Sequence, residues 1–470
     1  MNINILLEKE TNDLLNFTIR NKVSLWQLVR YNIFLEKMKE NEKLLEAHSQ
    51  KRKKSIIDYL TYIWLTTKKN PLLFSKPSYI LVFGPSIVNF ITKEKKYFNR
   101  IYDYYNFLFE KETTMLEDSY GYKYFYPRAF KNVYYRDYIK IMTVLKSKIL
   151  INKIDSKDLK IIESFLKYIK QHFELNDNYI GKVKNKIIKT MKKLPYYEYY
   201  YKKLINKIKP KIVFLNTASY GGENFLIRLL KDERVVVGEF QHGVITKSHI
   251  AYNYGEAVFK NKEYQKYLPD YLLTYGDFWN ENMRIPVKKI TVGNPHFWYN
   301  YDKINNFKEE LNKKKKRILI VSQGTLTNIY VKIAKELSKK ISNDYEIIFK
   351  LHPGEVAFEE RYKDLKSYDN IIIKKDGDIY ELINISDYIV SIYSTTIFEA
   401  ASLNKPVYVY KHPMSDAYIP EDIGERFRDT NELYEKIIEN IKSKNEYNIN
   451  YFWNKNWKNN YIQFIETYIR

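Results

Sequence analysis

What most constrains this 470-residue chain is an alternation, running from Pro210 to Tyr410, of short apolar runs with helix-patterned stretches. Apolar runs bounded by turn residues are the pattern of parallel strands buried on both faces, and the helical stretches between them supply the crossovers. The clearest set reads strand 317–322, helix 328–341, strand 345–351, helix 356–366, strand 370–374, helix 379–385, strand 388–391, helix 395–403 and strand 406–410. Upstream, Tyr79 to Phe83, Lys211 to Leu215, Val235 to Phe240, Tyr271 to Thr274 and Ile290 to Val292 have the same character. The fold class predicted is α/β, with two Rossmann-like domains facing a cleft and an N-terminal helical extension. Residues 1–300 form the first domain, helical over 1–70, and 301–316 the linker. Residues 317–445 form the second domain. Residues 446–470 return as a helix whose Trp453, Trp457, Tyr461, Phe464 and Ile465 pack on the first domain.

Composition removes several classes. There is no cysteine, so disulfides and thiolate chemistry are excluded. Lys plus Arg number 79 against 56 Asp plus Glu, a net charge of +23 that favours an anionic partner or surface. No apolar run approaches a membrane span, and the first residues lack signal-peptide features, so a cytoplasmic protein, peripheral at the inner face of the plasma membrane, is expected. Lys51-Arg52-Lys53-Lys54 precedes a stretch with Tyr59, Tyr62 and Trp64 that closes on Lys68 and Lys69. This reads either as a core helix with charged ends or as a helix on an anionic membrane surface. Residues 156–209 read as helix, broken at Asn176-Asp177-Asn178 and at Pro195, with a basic and aromatic stripe from Lys182 through Tyr196, Tyr197, Tyr199, Tyr200 and Tyr201 to Lys211. The tyrosine-rich stretch from Ile101 to Tyr138 has no readable period.

Five of the seven histidines fall in the α/β part, and His242, His296, His352 and His412 each adjoin Gly or Pro. That places them at strand ends, where open α/β sheets bind ligands. On the C-terminal side, Lys350 precedes His352-Pro353, whose imidazole can donate to a phosphate or ribose oxygen. Ser394, Thr395 and Thr396 join a strand to a helix. A hydroxyl cap, free N–H groups and the helix dipole make such a start an anion site. Glu399, one turn on, can accept from a ribose hydroxyl. Gln323, Gly324 and Thr325 border the same crevice, Gly324 allowing close approach. On the N-terminal side His242 enters a turn relieved by Gly243 and is a candidate general base. Glu239 either orients that ring or is the base itself. Gln241, Ser219 and His249 are assigned to the acceptor. No metal site is expected, because His242 and His249, seven residues apart, lack ligand spacing. Neither a G-x-G-x-x-G after the strand at 317–322 nor a Walker sequence is present, which counts against a dinucleotide oxidoreductase and a P-loop NTPase, and no cofactor is expected.

These residues resemble the metal-independent glycosyltransferases of GT-B architecture that build bacterial capsules and surface polysaccharides. His352-Pro353 and Ser394-Thr395 resemble the His-Pro and Ser-Ser/Thr motifs with which sialyltransferases, polysialyltransferases and Kdo transferases hold a cytidine nucleotide. Gln241-His242-Gly243 is similar to the Trp-His-Gly of CDP-glycerol glycerophosphotransferases, with Gln241 in place of the tryptophan. The acidic Asp/Glu-Asp/Glu-Gly motif of polysialyltransferases is missing, which leaves the base open between His242 and Glu239. The resemblance implies transfer of a sugar from a nucleotide-activated, CMP-linked donor to a glycan or lipid-linked glycan acceptor. The alternative is CDP-glycerol or polyol phosphotransfer of teichoic-acid type, and a third reading is a sugar-nucleotide epimerase. A basic non-catalytic nucleic-acid or membrane binder is the non-enzyme alternative. Dispersed lysines and the lack of a recognition-helix, zinc-finger or RNP signature weigh against specific nucleic-acid binding.

Overall fold

A computed structural model describes residues 3–42, 55–150, 154–306, 315–442 and 447–469. The Lys51–Lys54 cluster and most of the expected linker, 307–314, lie outside them. Seven parallel strands form the N-terminal sheet: β1 Ile80–Pro85, β2 Thr113–Asp118, β3 Val133–Tyr135, β4 Ile212–Leu215, β5 Val236–Phe240, β6 Tyr271–Thr274 and β7 Lys288–Thr291. Their order is 7-6-5-4-1-2-3. The C-terminal sheet has six: β8 Lys316–Val321, β9 Tyr345–Lys350, β10 Ile371–Lys374, β11 Tyr388–Ser391, β12 Val407–Tyr410 and β13 Glu425–Phe427, in the order 10-9-8-11-12-13. Both are doubly wound, with winding reversed between β1 and β4 (Ile80 opposite Ile212) and between β8 and β11 (Ile318 opposite Tyr388). Two such domains facing a cleft make the GT-B arrangement. The central strands form because their residues are apolar on both faces: every residue of β4 and β11 is buried.

The helices used below are α1 Leu25–Glu42, α2 Ile56–Lys68, α3 Asp137–Ile149, α4 Ser156–His172, α5 Asp177–Ile208, α6 Pro295–Asn306, α7 Thr395–Ser402, α8 Pro413–Tyr418 and α9 Trp457–Ile469. Pro195 does not end a helix, contrary to expectation. It costs α5 one backbone bond, while Met191, Leu194, Tyr201 and Leu204 stay buried on either side and hold the axis together. Tyr200 and Tyr201 of the expected basic stripe are buried for the same reason. The helix expected over 356–366 is a kinked run of 3-10 turns, Pro353–Ser367. The expected linker begins as the end of α6, which runs to Asn306. Strands β2 and β3 occupy the stretch that has no readable period.

The two halves share one apolar core. Trp453 is buried in it, stacking on Phe297 at 4.8 Å and donating to the Ser402 hydroxyl of α7. Helix α9 returns onto the N-terminal sheet, where Tyr461 packs against Phe240 and Tyr105. Residues 3–42 have a specific task. The buried Glu10 carboxylate accepts from Arg30 Nε (2.6 Å), Trp26 Nε1 (2.9 Å) and the Gly255 N–H (2.7 Å), while Arg30 donates to the carbonyls of Ile250 and Asn253. One ion pair thereby fixes the loop that carries His249 and Tyr252.

Helix α2 is capped by reciprocal bonds between Ser55 and Asp58. Tyr62, Leu65 and Thr66 are buried, but Ile56, Ile57, Leu60 and Ile63 are each more than half exposed, as is Trp64. Its apolar residues therefore face two ways, and only one face is covered by the fold. Among the described residues no helix is long and apolar enough to cross a membrane.

Candidate active site at the interdomain cleft

The C-terminal side is built by three strand ends that flank the switch point. After β11, Ser394 caps α7 by accepting from the Thr396 N–H (3.2 Å), and Thr395 starts the helix at the cleft. After β9, His352 caps the next turn: Nδ1 accepts from the Gly354 N–H (3.1 Å), which in a neutral ring leaves the proton on Nε2. Pro353 takes the first helical position, where a missing N–H costs nothing. The His352 N–H is held at 2.5 Å by Glu355, a buried carboxylate that also accepts from Ser322 (2.7 Å) and Tyr362. After β8, Gln323 leads into a short turn over Gly324–Leu326, and the Thr325 hydroxyl meets that of Tyr393. His412-Pro413 repeats the cap after β12, with Nδ1 accepting from the Met414 N–H (3.1 Å).

Two donor-side candidates are turned to structural partners. Lys350 is buried, and its ammonium donates to the carbonyls of Leu351 (3.1 Å) and Lys375 (3.2 Å), tying β9 to the end of β10. The Glu399 carboxylate accepts from Tyr380 (2.8 Å), and burial raises its pKa.

On the N-terminal side β5 delivers Glu239, Gln241 and His242. Glu239 is fully buried. Its carboxylate accepts from the Ser219 N–H (2.9 Å) and hydroxyl (2.5 Å) and from Tyr252 (2.7 Å). Burial pushes its pKa up to about 7. Gln241 is equally enclosed, donating to the Gly243 carbonyl (2.8 Å) and accepting from the Tyr275 N–H (2.9 Å), and so braces the turn. Glu239, Gln241 and Ser219 thus form the rear of the site. His242 stands in front of it.

The His242 Nε2 lies 3.5 Å from the Tyr220 hydroxyl, which is 3.3 Å from His249 Nε2; the other His249 nitrogen accepts from the Ala251 N–H (3.2 Å). His242 Nδ1 is buried without a side-chain partner among the described residues, beside the backbone of Phe240. Burial lowers the pKa of His242 to about 4 and that of His249 to about 3, so both rings are neutral near pH 7. The two halves meet here: a methyl group placed on Gly243 would lie 4.0 Å from the Thr395 hydroxyl. Thr246 donates to the Ala417 carbonyl (3.2 Å) in α8, across the same seam.

Sequence reasoning missed Arg100. It follows a hairpin, 89–91 with 97–99, held by a buried ion network: Arg128 pairs with Asp103 (3.0 Å) and Glu117 (2.9 Å), and Asp103 accepts from the Asn99 N–H (2.8 Å). Its exposed guanidinium makes no hydrogen bond or ion pair with any other described residue, yet its charge reaches His242, Tyr275, His296, Tyr380 and Glu399. The contacts are long-range in sequence, so only the fold brings it to the cleft. Among the described residues no group of three or more His, Asp or Glu could hold a metal ion.

A family model described as CDP-Glycerol:Poly(glycerophosphate) glycerophosphotransferase matches residues 292–461. The UDP-GlcNAc 2-epimerase of Neisseria meningitidis, solved with UDP-GlcNAc, has a TM-score of 0.44 at 14% identity, covering 83% of this chain and 98% of its own. That of Methanocaldococcus jannaschii, solved with UDP-GlcNAc and UDP, has a TM-score of 0.41 at 17% identity, covering 59% and 81%. The wall teichoic acid polymerase TagF, solved with CDPG, has a TM-score of 0.42 at 13% identity, covering 87% and 91%. No curated protein sequence matches. The segment that carries the end of β8 and the capped ends of β9 and β11 is thus the segment similar to the glycerophosphotransferase family.

Proposed function

We propose that the protein transfers a polyol-phosphate unit from a CDP-linked donor to a hydroxyl of a surface-polymer acceptor, releasing CMP. The observation that carries this reading is the placement of His242-Gly243 against Thr395, which sets a neutral imidazole beside the start of α7. The family match over the donor-side domain favours phosphoryl over glycosyl transfer, and so ranks the second sequence reading above the first. The nucleotide diphosphate lies at the N-terminus of α7, against Ser394, Thr395 and Thr396, with His352 Nε2 as a further donor and Arg100 closing from the other domain. His242 takes the proton of the acceptor hydroxyl. The freed oxygen attacks the phosphorus that bears the polyol, a P–O bond forms, the bond to the bridging oxygen breaks, and CMP leaves with that electron pair. Glu239 holds Ser219 and Tyr252 behind the base and takes no part in the transfer.

The acceptor in this reading is presented at an anionic lipid surface on which the exposed face of α2 rests, an arrangement supported by the uncovered isoleucines beside Lys68 and Lys69 and by the net charge of +23. Co-sedimentation with phosphatidylglycerol vesicles, lost in Ile57→Glu/Ile63→Glu, tests it; binding retained in that variant removes α2 as the contact.

The reaction itself is tested by product analysis. CDP-glycerol and other CDP-polyols are expected to yield CMP and a phosphodiester visible by phosphorus NMR. A glycosidic product from a CMP-sugar, with CDP-polyols inert, would instead establish glycosyl transfer. CDP at about 100 times its Kd is expected to stabilise the fold by roughly 2.7 kcal/mol; no thermal shift with any nucleotide would remove both transferase readings.

A further inference from the structure

Two imidazoles share one phenol in this site. Tyr220 lies in the short turn Ala218–Tyr220 after β4, and its hydroxyl stands 3.5 Å from His242 Nε2 and 3.3 Å from His249 Nε2. The direction of this chain of hydrogen bonds is fixed at its far end. His249 Nδ1 accepts from the Ala251 N–H (3.2 Å), so in the neutral ring the proton is on Nε2 and is donated to the Tyr220 oxygen. The hydroxyl's own proton is then left for His242 Nε2. That makes Nε2 the bare nitrogen of His242 and puts the ring proton on Nδ1, beside the backbone of Phe240. Burial keeps both rings neutral near pH 7, and neutrality is what the arrangement needs, because an imidazolium donates from both nitrogens and cannot accept from Tyr220.

The backbone under Tyr220 is held from both sides. Glu239 binds the N–H and hydroxyl of Ser219, whose carbonyl accepts from Gln27 (3.3 Å) and Tyr254 (3.2 Å). Gly221 (φ +86) has no room for a side chain, since a Cβ would come within 1.8 Å of the Gln27 carbonyl, and Thr217 before the turn also holds a left-handed backbone (φ +51). Strain of this kind persists where position matters. The ring itself packs on Tyr31 at 4.4 Å. Tyr220 also lines a cavity of about 370 Å³ outside the ends of β1 and β4, a volume within the range of small-molecule pockets, so the side chain that touches His242 also borders space that a substrate can fill.

We propose that Tyr220 is a proton relay between the acceptor hydroxyl and His242. Neither His242 nitrogen is open to a direct partner, since Nε2 faces Tyr220 and Nδ1 faces the Phe240 backbone, whereas the Tyr220 oxygen keeps one lone pair after accepting from His249. The acceptor hydroxyl donates to that lone pair. As the acceptor O–H bond breaks, its proton joins the Tyr220 oxygen, the Tyr220 proton passes to His242 Nε2, and the acceptor oxygen attacks the donor with the electron pair it retains. Tyrosine ends neutral and the imidazole carries the proton. The inference rests on the reading of His242 as the base, and it adds that the base acts through a phenol which His249 orients.

Tyr220→Phe keeps the ring and removes the oxygen. It is expected to lower kcat by about 10² or more, while CDP binding and Tm stay unchanged. Unchanged kcat in Tyr220→Phe, in a protein whose His242→Ala variant is impaired, overturns the relay and leaves His242 as a base acting directly; an unimpaired His242→Ala removes the base reading itself. A merely structural tyrosine is told apart by nitrogen NMR of histidine-labelled protein, with ring signals assigned through His242→Gln and His249→Gln. Wild type is expected to show His242 protonated on Nδ1 and His249 on Nε2. Tyr220→Phe is expected to leave the His249 tautomer as it is and to shift the His242 Nε2 resonance, which loses its donor. An unmoved resonance, or a wild-type His242 protonated on Nε2, overturns the relay even if no donor substrate is turned over.

Discussion

The two sheets share a strand order, yet their switch points are finished with opposite chemistry. In the C-terminal domain the ends of β9 and β11 carry neutral caps, His352 and Ser394, and after β8 the Thr325 hydroxyl meets that of Tyr393. In the N-terminal domain the ends of β1 and β2 are closed by ion pairs, buried where Asp103 and Glu117 meet Arg128 and half-buried where Asp118 and Glu223 meet Arg136. In the proposed transfer, the difference follows from what each side does. A diphosphate needs donors that are not already paired to an anion. A base needs a rigid, dry seat that keeps an imidazole neutral, and paired charges supply rigidity without a net field.

The comparison is broken most directly at His242. His242→Ala is expected to lower kcat by about 10² to 10⁴ while CDP binding, read by calorimetry, stays unchanged. Its pKa near 4 also sets a sign: the base works only when neutral, so activity is lost as pH falls through about 4, where an ordinary histidine would lose it through about 6.5. An acid limb of kcat/KM near 6.5 would mean that the buried ring is not the base. Next comes the seat. Arg30→Met strands the Glu10 carboxylate and is expected to cost about 3–5 kcal/mol in urea unfolding; a cost below about 1 kcal/mol would show that the N-terminal helices do not hold the His249 loop.

Arg100→Ala sharpens the contrast, since it removes the unpaired cation that the N-terminal domain offers the donor. A loss of about tenfold to a hundredfold in kcat/KM for the CDP-donor is expected, with Tm unchanged; undiminished kcat/KM would place the guanidinium away from the diphosphate. Smallest is Ser394→Ala, which removes a helix cap worth about 1 kcal/mol and raises donor KM. Loss of stability without a change in donor KM would reduce Ser394 to a cap alone.

The local motifs were legible because their physics is local. His352 and Ser394 cap the turns that follow them, using atoms two residues away, and the apolar runs of β4, β8, β9 and β11 announce strands buried on both faces. Strands β2 and β3 were not legible. The end of β2 carries Glu117 and Asp118, which read as solvent-facing until Arg128 and Arg136, from after the strand, pair with them. The same holds for the roles of single residues. Glu239 and Gln241 sit next to His242 in sequence, but alternation along β5 and the turn behind it direct them into the domain, with Ser219, Tyr252 and Tyr275 as partners.

What the chain's own pattern determined is therefore the α/β class, the doubly wound C-terminal domain and the caps that His352 and Ser394 supply after β9 and β11. The tertiary structure decided which side chains face the cleft, that Arg100 and Tyr220 join the site, and that α2 keeps an apolar face uncovered. Periodicity and capping act over a few residues and can be read from sequence. Burial of charge, and the pairing that makes it tolerable, depend on residues brought together from distant parts of the chain.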